Sequence, residues 1–347
     1  MAADATTVPQ LLRRNALQHG PKPVLVTEDR SITHAGLNEE SRGVAARLVA
    51  AGVGKGARVG VLLPNGIEWA IVAAAALRVG AVLVPLSTML RPPELEAQLR
   101  VAGVTHLVVG HFRGRDYVDD LEAIAPGILA ATTDGRRHER LPSLRHVWNV
   151  GEIPSTAVDM AVVDALEDAV RPADDMAVLF TSGSRGSPKG VVHTHGGALR
   201  ATASGLEARC VHGDERLYIP MPFFWTGGFS GGLLTVLVAG ATLLTEAVPE
   251  PERTLELLER ERATLFRGWP DQAARLAAHP RFASVDLSSL RPGSLAAVLP
   301  PEQRPAPGAR ANLFGMTETF GPYCGERLDV DLPPDKQTGR ASCRERV

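Results

Sequence analysis

The chain has 347 residues, 44% of them hydrophobic and 22% charged, enough to bury one large or two medium cores in an ordinary globular protein. A formal net charge of −2 gives no general pull toward nucleic acid or anionic lipid, so any anion binding must come from local clusters. Cys210, Cys324 and Cys343 are widely spaced with no CxxC pair, and Met1–Asp4 lacks the basic start of a signal peptide, so a cytoplasmic, reducing location is expected.

From Pro23 onward, β and α patterns alternate. Val24–Ile32 reads as a hairpin turning at Glu28 and Asp29, followed by a helix from about Ala35 to Ala51 that ends at Gly52. The strand Val59–Leu63, a turn at Pro64–Gly66, a helix through about Arg78 and the strand Ala81–Val84, stopped by Pro85, make a βαβ crossover. Another helix starts after Arg91–Glu94 and feeds the strand His106–Val109, which implies a mostly parallel sheet covered by helices. Residues 136–173 are richer in proline and acids and read as a surface connection. The expected class is α/β, with two stacked αβ subdomains over 1–172 and 173–336.

The second subdomain is expected to open with the strand Met176–Phe180. Further strands are expected at Arg216–Ile219, Ala241–Leu244, Thr264–Arg267 and Leu295–Leu299, with helices around 230–238, 251–260 and 270–278. No charge occurs from Leu217 to Thr245, long enough for a membrane span, but Pro220, Pro222 and the pairs Gly227–Gly228 and Gly231–Gly232 break it. A strand, a loop and a buried helix are expected there, without stable membrane insertion. His193 and His195 sit two apart with no third ligand nearby, a weak metal signal.

The run Leu179–Val191, LFTSGSRGSPKGV, is built to grip phosphate. Gly183, Gly186 and Gly190 let the backbone come close to an anion, Thr181, Ser182, Ser184 and Ser187 carry hydroxyls, and Arg185 and Lys189 carry fixed positive charge. It is not the NTPase P-loop, because Pro188 precedes Lys189 and Gly190 follows it. The run resembles the phosphate loop of the adenylate-forming (AMP-binding) superfamily, which includes acyl-CoA synthetases, luciferases and peptide-synthetase adenylation domains. Arg185 stands where that family more often has Thr or Ser.

Three further segments carry the resemblance. Asn312–Phe320, NLFGMTETF, is similar to the family's Tyr-Gly-x-Thr-Glu segment with Phe314 in the tyrosine place. The resemblance implies that Phe314 and Gly315 meet the adenine, Thr317 the phosphates, and Glu318, with Thr181, a magnesium ion. Tyr218–Phe229, YIPMPFFWTGGF, is similar to an acid gate, with Phe224, Trp225 and Gly227 as gate residues and Trp225 where the family has His. Arg291–Leu295 is a fainter match to an adenine-lining loop and nominates Gly293 and Ser294.

The resemblance implies ATP-dependent activation of a carboxylic acid, fatty or aromatic, to acyl-AMP and then acyl-CoA, with Mg²⁺ and with ATP and CoA as substrates. Lys189, Arg185, Thr317 and Glu318 would be the catalytic set, and Ser182, Gly183, Ser184 and Gly186 would hold nucleotide. A nucleotide-binding fragment without catalysis and an adenylation domain of a peptide synthetase stay open, as does a homodimer. The resemblance covers roughly residues 8–335. Residues 337–347 carry no apolar period and read as a tail foreign to the fold, so a truncated, poorly active chain is expected.

Overall fold

The computed structural model describes residues 5–181, 188–311 and 313–333. The strands in chain order are β1 (Pro23–Val26), β2 (Ser31–Thr33), β3 (Arg58–Leu62), β4 (Val82–Pro85), β5 (His106–Val109), β6 (His111–Phe112), β7 (Arg115–Asp116) and β8 (His146–Asn149). There follow β9 (Asp175–Phe180), β10 (Gly190–Thr194), β11 (Arg216–Tyr218), β12 (Thr242–Leu244), β13 (Leu265–Phe266), β14 (Phe314–Met316) and β15 (Gly321–Cys324). The helices are α1 (Val8–His19), α2 (His34–Ala50), α3 (Ile67–Arg78), α4 (Pro92–Ala102), α5 (Tyr117–Ile124) and α6 (Ile128–Thr133). The rest are α7 (Met160–Ala169), α8 (His195–Ser204), α9 (Thr226–Gly228), α10 (Thr235–Ala239), α11 (Pro251–Arg260) and α12 (Pro270–Ala277).

Two compact units form. The first comprises Met1–Pro21, His34–Leu199 and Phe223–Trp225, the second Lys22–Thr33, Arg200–Pro222 and Thr226–Val347. The expected break at residues 172 and 173 is therefore corrected. β9 pairs in parallel with β4, Leu83 opposite Ala177, so the strand expected to open a second subdomain belongs to the first sheet. The hairpin β1–β2 in turn joins the second sheet, where Leu25 lies opposite Leu243 of β12.

The first unit's sheet runs β10-β9-β4-β3-β5-β8, parallel throughout except for the antiparallel edge strand β10. β4 and β5 are buried along their whole length, as continuous apolar runs covered on both faces must be. Gly60 on β3 leaves room for Leu107, whose Cδ1 would lie 2.8 Å from any added Cβ. The segment 136–173 is not a plain connection. His146–Asn149 extends the sheet beside β5, and Met160–Ala169 is a helix whose Glu167 is buried.

The second unit's sheet runs β13-β11-β12-β1-β2, again parallel except for the edge strand β2. Its core gathers Tyr218, Leu244, Leu255, Leu258 and Phe266. α11 and α12 occupy the expected spans, but Leu295–Leu299 is not a strand: Ala296–Val298 make one 3₁₀ turn. Between α9 and α10 the chain winds as a π-helix, Phe229–Leu234, a rare form concentrated at functional sites. Among the described residues no helix is long and apolar enough to cross a membrane.

Candidate functional site

In the first unit, buried β9 delivers the phosphate-loop run to the carboxyl edge of the sheet, where open α/β sheets place ligands. The loop's neck is closed by the N–H of Thr181 donating to the carbonyl of Lys189 at 3.1 Å. Below it Phe180 pairs with Gly190, where a Cβ would come 2.7 Å from Val178 Cγ1. Thr181 is half-buried and Lys189 exposed. Ser182, Gly183, Ser184, Arg185, Gly186 and Ser187 lie outside the described residues.

The base of this hairpin is anchored. His195 is fully buried, its backbone N–H donates to the Asp174 carbonyl at 3.1 Å, and its Nδ1 accepts the first N–H of α1, from Val8, at 3.2 Å. Burial pushes the imidazole down to about 4, opposed by nearby Asp174. His195 is thus a neutral acceptor inside the fold.

Sequence reasoning missed a neighbouring rim. The register between β4 and β9 brings the segment after Pro85 to the same sheet edge as Thr181. That segment is held by Arg115, which donates to the carbonyls of Thr88 at 3.3 Å and Leu90 at 2.5 Å and pairs with Asp120 at 2.6 Å. Tyr117 Oη donates to the same Thr88 carbonyl at 2.9 Å, and the Arg115 guanidinium lies 5.0 Å from the Tyr117 ring centre. No local pattern marks Arg115 for this role, because the carbonyls it holds lie 25 and 27 residues upstream.

Of the gate residues, Phe224 is buried and meets Trp225, 37% exposed, edge to face at 5.3 Å. Their neighbour Phe223 is fixed by its N–H donating to Asn65 Oδ1 at 2.7 Å and by an edge contact with Trp69 at 5.2 Å. Gly227 falls in the second unit, where a Cβ would come 2.5 Å from Met221 Sδ.

In the second unit β14 and β15 form a short hairpin whose turn, Thr317–Thr319, presents an exposed Glu318. Phe314 is 50% exposed and meets Tyr323 edge to face at 5.6 Å. Gly315 is required where the strands cross, since a Cβ would come 2.4 Å from the Gly321 carbonyl oxygen. Gly293 has φ +101°, a backbone region that favours glycine, and Ser294 Oγ accepts the N–H of Phe266 at 3.1 Å, so its hydroxyl secures the end of β13. Asn312 lies outside the described residues. Among the described residues no group of three or more His, Cys, Asp or Glu could hold a metal by itself.

The fold is that of an α/β protein whose strand β9 leads into Thr181 at the carboxyl edge of a mostly parallel sheet. The chain matches the AMP-binding enzyme family over residues 12–345 and belongs to it. It is 34% identical over 302 residues to the methyl-dioxo-octahydroindenyl-propanoyl:CoA ligase of Mycobacterium tuberculosis, covering 84% of this chain and 57% of that one. Against the mitochondrial medium-chain acyl-CoA ligase of Rattus norvegicus it is 29% identical over 324 residues, 86% of this chain and 52% of the other. The anthranilate CoA ligase AuaEII, solved with anthranoyl-AMP, shares the fold with a TM-score of 0.74 at 23% identity, covering 94% of this chain and 62% of that one. The chain thus spans little more than half the length of the curated relatives it matches.

Proposed function

We propose that this chain carries the nucleotide- and acid-binding part of an ATP-dependent acyl-CoA ligase acting in the cytoplasm on an apolar acid, fatty or aromatic. The closed neck between Thr181 and Lys189, which turns a glycine- and hydroxyl-rich run into a loop at the sheet's carboxyl edge, carries this reading. A carboxylate oxygen attacks the α-phosphorus of ATP and the bond to the β-phosphate oxygen breaks, so pyrophosphate leaves and acyl-AMP forms. The thiol sulfur of CoA then attacks the acyl carbon and AMP departs.

In this reading Lys189 and Arg185 neutralise the β- and γ-phosphates, while Thr181, Ser182, Gly183, Ser184 and Gly186 orient them. Phe314 and Gly315 flank the adenine, Thr317 reaches the phosphates, Gly293 and Ser294 line the base, and Phe224, Trp225 and Gly227 admit the acid. An exposed carboxylate such as Glu318 suits magnesium, which keeps most of its waters and takes its other ligands from phosphate oxygens. Bound there with help from the Thr181 hydroxyl, the ion would supply charge neutralisation on the leaving pyrophosphate.

The test is ATP binding by the chain and by K189A, measured calorimetrically. Loss of a charge-assisted contact is expected to weaken binding roughly tenfold to a hundredfold. Equal affinities would defeat the reading. Product analysis with CoA or a carrier-protein thiol as acceptor separates a free-standing ligase from a peptide-synthetase domain.

A further inference from the structure

The Thr317–Glu318 turn ends at Phe320, whose backbone is left-handed, φ +58° and ψ +24°. For a bulky aromatic residue this conformation is costly and persists when its surroundings hold it. The surroundings are specific. Phe320 is 2% exposed, and its carbonyl accepts the hydroxyl of Ser230 at 2.6 Å. Its ring meets Phe229 edge to face at 6.0 Å, and its N–H closes the turn onto the Thr317 carbonyl at 3.0 Å.

Ser230 is itself fixed. It is 1% exposed and lies in the π-helix, where its carbonyl accepts both the N–H of Thr235 and the Thr235 hydroxyl, the latter at 2.6 Å. The wider π turn sets Ser230 one residue off the ordinary helical phase, with its hydroxyl on the Phe320 carbonyl. Next to Phe320, a Cβ on Gly321, φ +136°, would touch Ser230 Oγ at 3.4 Å. The hydroxyl of Thr319 donates to the Gly321 carbonyl at 2.6 Å and binds the turn's other side.

We infer that Ser230 and Phe320 are positioning residues, a latch by which the glycine-rich helix start beginning at Thr226 sets the place of the Glu318 carboxylate. The inference rests on the proposed role of Glu318 toward magnesium, and it adds that the gate helix and the metal carboxylate move as one body. The latch acts through the backbone. Ser230 is buried with its hydroxyl on the Phe320 carbonyl, and without that hydroxyl the left-handed Phe320 loses a buried partner and the turn loosens.

The chain and its variants S230A and S230T are compared by hydrogen exchange and by magnesium titration of ATP binding. S230A removes one oxygen, and exchange across 316–321 is expected to rise roughly tenfold, the worth of one buried hydrogen bond. Exchange in β9 should stay unchanged. Half-saturation by Mg²⁺ should rise several-fold in S230A, affinity for ATP in EDTA should not move, and S230T, which keeps the hydroxyl, should restore both signals. Unchanged exchange at 316–321, or faster exchange with an unaltered magnesium requirement, would overturn the latch. If the parent chain bound no ATP, the nucleotide reading would fall, and the exchange comparison would still decide whether Ser230 holds the turn.

Discussion

Arg78 has no exposed side-chain surface, and neither does the Glu167 carboxylate it meets at 2.6 Å. Burial pulls the guanidinium down and Glu167 holds it up, so the charge survives because it is paired. Arg78 also donates to Ser41 Oγ at 2.9 Å and Asn38 Oδ1 at 2.6 Å, while the Arg13 charge lies 3.4 Å from the other Glu167 oxygen. Removing one partner of such a pair leaves a buried uncompensated charge, which costs about 3–5 kcal/mol. E167Q is therefore expected to lower urea stability by that amount, and the double variant R78M/E167M to recover most of it, because two apolar side chains remove the need for pairing. A loss near zero in E167Q would show that water reaches the pair. Nothing local announces this cluster, since Arg78 reads as an ordinary basic helix end and Glu167 as one acid in an acidic stretch. Lys189 and Glu318, by contrast, stand out in the sequence as candidates, because glycines and hydroxyl residues are adjacent to them.

Elements were legible where one period runs unbroken. α3, IEWAIVAAAALR, is buried on nearly every face, and β5 carries one apolar run, so both sit at the predicted places. The expectation failed where the pattern is mixed. α7, MAVVDALEDA, is mostly apolar in sequence, yet it buries only Val163 and Glu167, and two arginines of other helices, Arg13 and Arg42, pair with its acids. The strand expected at Leu295–Leu299 became a 3₁₀ turn, and its neighbour Ser294 bonds the end of β13 by side chain. The π-helix could not be read, since it differs from an α-helix by one inserted residue in backbone bonding. Its entry does leave a mark in the glycines. A Cβ on Gly228 would lie 2.2 Å from the Pro222 carbonyl oxygen, a backbone atom that cannot swing aside. G228A should thus cost about 1–3 kcal/mol by overpacking and should speed amide exchange over 226–235, whereas G231A, with open space around its Cβ, should behave like the parent chain. Equal behaviour of the two variants would show that the helix start can shift without strain.

Across the whole molecule, the two units carry buried ionisable groups of opposite sign in their response to pH. In the first unit burial lowers His106 and His195 from 6.5 to about 4, with the neighbouring His146 adding to the effect on His106. A histidine depressed in the folded state stabilises it above 6.5, and that contribution fades as pH falls from 6.5 toward 4. In the second unit burial raises Glu246 from 4.5 to about 7, against the hydroxyls of Tyr218 and Thr254, which both donate to its Oε2 at 2.7 Å. An acid raised in the folded state stabilises it below 4.5, and that contribution is lost as pH rises through 7. Between pH 4 and pH 8 the histidine part of the acid limb therefore belongs to the first unit and the Glu246 part of the alkaline limb to the second, each worth at most roughly 3 kcal/mol per group. Urea midpoints taken from pH 4 to pH 8 (about 0.5 apart) should show E246Q flattening the fall between about 5 and 8, because a neutral amide keeps both hydroxyl bonds and has no proton to lose. H195N, whose Oδ1 can still accept the Val8 N–H, combined with H106N, should flatten the fall below about 6.5 and leave the alkaline limb alone. An alkaline limb that persists in E246Q, or one that disappears in the histidine double variant, would contradict this division of the pH response between the units.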